Sequence, residues 1–238
     1  MMPSLDRGHL LVGSTGFVGT NLQKYHKFDT LVNSSNIETI AGKSFDFVVV
    51  AAPSAEKWRV NQNDIAAMDD MRNIVSLIEI LRTIEVTRNL VLVSTIDASF
   101  YHPYGINRAF FEYEVLEHVN NSRAVRLPAL YGGGLKKNLI YDLSNGRSDM
   151  LATVNPESTF QFVNIEYACD IILSYGEEGI REIITEPVAA QEVASIFNTV
   201  LPGNDWKKVS YNIDPGPDEY DFTKQEVLDD IKEYYGRV

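Results

Sequence analysis

The residues PYGINR at 103–108 set the phenol of Tyr104 four positions before the guanidinium of Arg108. Residues i and i+4 share a helix face, so a permanent cation comes within reach of a hydroxyl that ordinarily ionises near pH ~10. A cation there favours the phenolate, and a phenol drawn toward neutrality can exchange a proton with a sugar hydroxyl or a ketone. The same spacing on an exposed helix is only a weak surface pair. What separates the two readings lies upstream, in GSTGFVG at 13–19 and VST at 93–95.

Glycines at 13, 16 and 19 follow the apolar run HLLV and open a helical pattern. The spacing is GxxGxxG rather than the more familiar GxGxxG, but the physics is shared. A tight turn at Gly13, the amides of Ser14, Thr15, Gly16, Phe17 and Val18 at a helix N-terminus, and close helix-to-strand packing at Gly19 make a cradle for a pyrophosphate. Twenty positions after Gly13 come Asn33, Ser34 and Ser35. An acidic side chain near this point would hold a ribose 2′-hydroxyl, and a basic one would take a 2′-phosphate. Neutral donors accept a phosphate without repelling it, which tilts the expected cofactor from NAD toward NADP; a solvated turn reads the same way.

Strands and helices must hold these groups. Residues 9–12, 30–33, 45–52, 89–95 and 124–127 read as strands, and 17–28, 64–81 and 104–119 as helices. On the second helix, Ile65, Met68, Met71, Ile74, Val75 and Ile78 are expected on one side. Alternating strands and helices predict an α/β fold, a Rossmann-like doubly wound parallel sheet. Beyond 132 the rhythm weakens to short strands at 160–163 and 182–185 and helices at 138–143, 165–175, 191–201 and 223–235, the last opened by a Thr223/Glu226 capping box. The expected division is a dinucleotide-binding core, 1–131, and a smaller C-terminal substrate lobe, 132–238, part of whose chain returns to the core sheet.

The 238 residues are 45% apolar, enough for a sizeable core, and carry a formal charge of -12. That charge argues against nucleic acid or an anionic membrane as partner, since phosphate surfaces are bound by Lys and Arg. The only cysteine, Cys169, excludes an intrachain disulfide and suits a reducing compartment. The longest apolar run, FVVVAAP, is far shorter than a membrane span, and the first residues run into the glycine loop rather than a cleavage site. The cytoplasm is the expected location. The histidines at 9, 26, 102 and 118 show no ligand spacing, so no metal is expected; His102, close to Tyr104 in sequence, reads either as an exposed loop residue, the commoner case, or as one that lines the pocket. Neither a GxSxG elbow nor a GK[ST] loop occurs.

Taken together, GSTGFVG, the strand-end pair Ala51 and Ala52, VST, YGINR at 104–108, RLPALYG at 126–132 and FQFVNIEYACDI at 160–171 resemble the extended short-chain dehydrogenase/reductase family. This family contains nucleotide-sugar epimerases, dehydratases and reductases, and the resemblance covers most of the chain. It implies that Thr95 supplies a substrate-binding hydroxyl, that Tyr104 is the acid/base, and that Arg108 stands where relatives carry lysine. It also implies that Ala51 and Ala52 line the cofactor, that Asp97 lies near the substrate, and that Lys136, Lys137 and Asn138 begin the contact with a nucleotide diphosphate. A homodimer through the helices at 64–81 and 104–119 is a further implication.

Arg108 is the main departure: an arginine can hold ribose hydroxyls but releases no proton into a relay. Ile96 replaces one member of the acidic pair of related dehydratases, Ala129 replaces a frequent asparagine, and the segment 96–103 is short. The expected activity is that of an NAD(P)-dependent reductase or epimerase acting on a sugar or nucleotide-sugar. The alternative is a dinucleotide-binding regulator or scaffold that uses the same pocket without chemistry.

Overall fold

The β-branched runs and helical stripes of the sequence become nineteen-odd short elements in a computed structural model that describes residues 7–174, 176–203, 206–216 and 219–236. In chain order they are β1 (His9–Val12), α1 (Phe17–Tyr25), β2 (Thr30–Val32), β3 (Ser44–Val50), α2 (Lys57–Gln62), α3 (Asp64–Leu81), β4 (Glu85–Thr95), α4 (Pro103–His118) and β5 (Ser122–Leu127). There follow β6 (Ala129–Tyr131), α5 (Leu139–Ser144), α6 (Ser148–Leu151), β7 (Thr159–Phe160), β8 (Phe162–Asn164), α7 (Ile165–Leu173), β9 (Gly179–Glu182), β10 (Val188–Ala189), α8 (Ala190–Ile196) and α9 (Lys224–Gly236). Single 3₁₀ turns lie at Ile37–Ile40 and Ile96–Ser99.

Two compact units result, Met1–Arg126 with Cys169–Glu182, and Leu127–Ala168 with Ile183–Val238. The first boundary falls after 126, not after 131, because β6 pairs with β8 in register Ala129↔Phe162 and so belongs to the second unit.

The first unit is built on one sheet of order β2-β1-β3-β4-β5-β9. Its strands run parallel, with Leu10 beside Val48 and Val48 beside Leu90, all three fully buried. Strands covered on both faces read as continuous apolar runs, as β3 and β4 do. Ile74, Leu81, Phe111 and Val115 cover them from the helices. β1 has β2 on one side and β3 on the other, so the order reverses there, and ligands of open α/β sheets bind outside the carboxyl ends of strands at such a switch point.

The structure departs from the sequence reading in three places here. α2 was not expected. β9 starts at Gly179, three residues before the expected strand, in a register where Arg126 meets Glu182 at 2.7 Å. α3 buries Ala66, Asp70, Ile74, Leu77, Ile78 and Leu81, while Ile65, Met68 and Val75 are exposed. Both of its stripes are apolar enough to bury; the inward one brings Asp70 to Arg108.

In the second unit β6 pairs with β8 and β7 with β10, and Tyr131, Ile140, Phe162, Val193 and Ile231 share a core. α9 opens with the expected box: the Glu226 carboxylate accepts from the Thr223 amide at 2.8 Å and its hydroxyl at 2.7 Å. Among the described residues, no helix is long and apolar enough to cross a membrane.

Candidate functional site

Gly13 has φ +84°, and a β-carbon there would overlap the carbonyl oxygen of Ala51; one at Gly19 would overlap that of Gly13. The glycine loop therefore lies flush against the end of β3, with no room for any other residue at either point. The amides of Gly13 and Ser14 donate to the Val32 carbonyl at 2.9 and 3.1 Å, and the Gln23 amide holds the carbonyls of Ser14 and Gly19 at 2.7 and 2.9 Å. The N-cap of α1 is Gly16, which offers no side-chain bond, and the first turn carries no acidic residue. Its leading amides lack intrahelical acceptors and its positive pole is uncompensated. These residues fit a dinucleotide pyrophosphate.

The turn after β2 is self-bonded. The Asn33 side-chain oxygen accepts from the Ser35 amide at 2.9 Å and hydroxyl at 2.6 Å, and the Asn33 amide donates to Asn36 at 2.8 Å. Ser34 and Ser35 are exposed. The turn thus presents neutral polar groups without a carboxylate at its tip.

The second cluster forms where β4 ends. His102 caps α4, its Nδ1 accepting from the Gly105 amide at 2.9 Å, and Pro103 takes the first helical position. A β-carbon at Gly105 would overlap the carbonyl oxygens of Asp97 and Phe100, so the first turn of α4 is pressed onto the turn Ile96–Ser99. Tyr104 is thereby buried, 4% exposed, and its amide donates to Asn61 of α2 at 2.9 Å.

Arg108 is 5% exposed at its side chain and binds Asp70 through two parallel bonds of 3.0 Å, with a third to the Ser54 carbonyl at 3.1 Å. The guanidinium carbon stands 4.3 Å from the centre of the Tyr104 ring. The expected fall of the phenol toward neutrality is overturned. Burial, the largest influence, pushes Tyr104 above its ordinary 10.0; Arg108 pulls it partly back, and Asp97 and Asp70 push it further up. The physical reason is that the arginine arrives already paired with a carboxylate, inside a site that excludes water.

Thr95 and Asp97 are brought together here. The Thr95 hydroxyl donates to Asp97 Oδ2 at 3.3 Å and accepts from the Asp97 amide at 3.2 Å. Asp97 Oδ1 takes Lys57 Nζ at 2.5 Å and lies 3.4 Å from His102 Nε2. Since His102 Nδ1 accepts, the ring proton belongs on Nε2, facing that carboxylate.

Sequence reasoning missed Lys57, Asp70 and the true place of His102, whose side chain is only 11% exposed. A polar residue directly before Pro103 at the head of a helix is an N-cap signal that could have found His102. Asp70, four residues from both Ala66 and Ile74, sits inside an apolar stripe, which marks it as a paired charge. Lys57 follows no periodic pattern.

Lys136, Lys137 and Asn138 belong to the second unit. Both lysines are exposed. Asn138 is committed elsewhere: its side chain caps α5 by accepting from the Tyr141 amide at 3.1 Å and donates to the Leu130 carbonyl at 2.8 Å. Among the described residues, no group of three or more His, Cys, Asp or Glu could hold a metal ion.

No protein-family model and no curated protein matches the sequence. Solved structures do. A UDP-glucose 4-epimerase from Thermotoga maritima, with UDP-glucose, is 14% identical, covers 96% of this chain and 97% of its own, and has a TM-score of 0.65. DesIV, a dTDP-glucose 4,6-dehydratase from Streptomyces venezuelae with NAD and TYD bound, is 15% identical over 95% of this chain and 91% of its own, TM-score 0.65. RMD from Pseudomonas aeruginosa, complexed with NADPH, is 14% identical over 95% and 93%, TM-score 0.65. At such identities the likeness speaks for the fold alone, a Rossmann-like α/β fold with a parallel sheet that this chain shares with these proteins.

Proposed function

We propose that this chain is an NAD(P)-dependent oxidoreductase acting on a sugar or nucleotide-sugar, with Tyr104 as its proton donor. The observation that carries the reading is the common edge of the first unit's sheet. β1, β3 and β4 are parallel neighbours, and their carboxyl ends bear the glycine loop, Ala51 with Ala52, and Thr95 with Asp97. Solved structures of this fold hold UDP-glucose, NAD or NADPH, which supports the class of ligand.

A bound nicotinamide supplies or accepts a hydride. The chain's own residues do the rest. The loop from Gly13 to Gly19 holds the pyrophosphate, and Ala51 and Ala52 leave room beside it. The turn of Asn33, Ser34 and Ser35 favours NADP, because its tip is neutral and polar and carries no acid to repel a 2′-phosphate. Thr95 orients a substrate oxygen, and Tyr104, kept protonated by burial, gives it a proton. A protonated phenol is the form that reduction of a carbonyl needs, and a phenolate the form that oxidation of an alcohol needs. Arg108 holds the Tyr104 ring in place. Lys136 and Lys137 are suited to a diphosphate, and the exposed Ile65, Met68 and Tyr113 on α3 and α4 suit a homodimer.

Titration with NADPH and NADH, followed by nicotinamide fluorescence, tests the reading. Micromolar binding is expected, with NADPH the tighter. Tyr104→Phe should keep that binding and lower turnover of a carbonyl substrate by ~100-fold or more; an unchanged rate would remove Tyr104 from the chemistry. The pairing of Arg108 with Asp70 favours one second reading, a dinucleotide-binding regulator. Tight cofactor binding without hydride transfer to any sugar nucleotide would select it.

A further inference from the structure

Two ion pairs flank Tyr104, and they differ in setting. Arg108 and Asp70 are both buried, at 5% and 7% exposure, whereas Lys57 reaches Asp97 from the surface, 36% exposed against 13%. Asp97 is the hub of the second pair. One of its oxygens meets Lys57 and His102, and the other meets the Thr95 hydroxyl. His102 in turn lies nearly parallel to Tyr104, ring centres 6.5 Å apart. Lys57 also heads α2, whose Asn61 holds the Tyr104 amide, so one short helix braces both the carboxylate and the phenol.

We propose that Lys57 is a positioning residue of this site, whose ammonium screens the Asp97 carboxylate from Tyr104 and holds that carboxylate against Thr95. Arg108 cannot do this, because its fork is taken by Asp70 and Ser54. Without Lys57, Asp97 presents an uncompensated negative charge to the phenol, and a like charge opposes ionisation. The inference rests on the functional reading above for its purpose, but its electrostatics stand in the protein without cofactor.

The test uses the full chain labelled with ring-fluorinated tyrosine, which lowers the phenol's ionisation into an accessible range. The Tyr104 fluorine signal is identified by its loss in Tyr104→Phe and titrated by NMR. Lys57→Met should lower the Tyr104 ionisation constant by about threefold or more. Lys57→Arg should restore it, and in an Asp97→Asn background, which itself shifts the other way, Lys57→Met should produce no such fall, a dependence on Asp97 that a merely structural lysine would not show. Lys57→Gln replaces Lys57→Met should the latter not fold. An unmoved midpoint, a shift that persists in the Asp97→Asn background, or a wild-type Tyr104 that never titrates would each overturn the proposal. Cofactor titration reports separately on the functional reading. A chain that shows the shift but binds no nicotinamide overturns that reading alone, and one that turns over without the shift overturns only the role of Lys57.

Discussion

Asp70→Ala should be among the most damaging single changes in the first unit. It removes the carboxylate that takes both 3.0 Å bonds from Arg108 and leaves a guanidinium 5% exposed, with the Ser54 carbonyl and the face of Tyr104 beside it. Removing one partner of a buried pair costs about 3–5 kcal/mol, chiefly because the remaining charge stays out of water. Asn107 also loses a bond to Asp70 but keeps the Ala67 carbonyl at 3.0 Å, so its share is small. For a chain of this size the loss corresponds to a fall in Tm of roughly 6–20 °C. Urea unfolding followed by tryptophan fluorescence is the assay, because Trp58 lies in the first unit and Trp206 in the second, and the two units need not unfold together. The loss should appear in the Trp58 signal. Replacing both partners by apolar residues, Asp70→Leu with Arg108→Met, should recover most of it, since a buried pair is often matched by a well-packed apolar pair. A loss under about 0.5 kcal/mol, the scale of an exposed pair, would refute the argument that the arginine is held by a buried partner.

Other changes probe different parts of the fold. Gly13→Ala adds a β-carbon at φ +84° where it overlaps Ala51; it should destabilise by more than ~1 kcal/mol and abolish nicotinamide binding, whereas Gly42→Ala, at φ +70° in open space, should show the backbone strain alone. Tyr104, Tyr131 and Tyr235 are all pushed above 10.0, each chiefly by burial. A raised folded value means their stabilising share is whole below pH 10.0 and is lost as pH rises through the folded values, so urea midpoints should fall in that alkaline range and Tyr131→Phe should soften the fall. His26 is depressed below 6.5, first by burial and then by His9, whose ring nitrogen lies 2.7 Å away. Its share is whole above pH 6.5 and is lost as pH falls through the folded value, and an acid slope unchanged in His26→Gln would show that the pair contributes nothing.

The parts of this molecule that follow local rules could be read in the chain. β3 announces itself as a β-branched run between turn residues, the glycine loop by spacing and context, and α9 by Thr223 and Glu226. What could not be read is long-range choice. α3 has two apolar stripes, and only the packed fold decides that the one containing Asp70 turns inward. The position of β9 depends on a register with β5 that joins residues 126 and 182, far apart in sequence. Asn138 looks like a ligand in GGGLKKN, yet the start of α5 needs a cap, and a polar side chain at that point serves the nearest backbone amide first.

The same distinction bears on the chemistry. A tyrosine followed four residues later by an arginine is a local pattern, and read locally it means an activated phenol. The pattern does hold in space, since the two side chains are stacked at 4.3 Å. Its consequence is reversed by residues outside it. Asp70, from another helix, offsets the guanidinium, and Gly105 lets α4 press so closely onto the turn after β4 that the phenol loses its water. Desolvation then outweighs the nearby cation, and the Tyr104 phenol is pushed above its ordinary value. A protonated phenol can give a proton, and a phenolate can take one. The ionisation of this tyrosine is therefore set first by its burial and then by the charges that face it, a property of the packed unit that spacing within PYGINR does not carry.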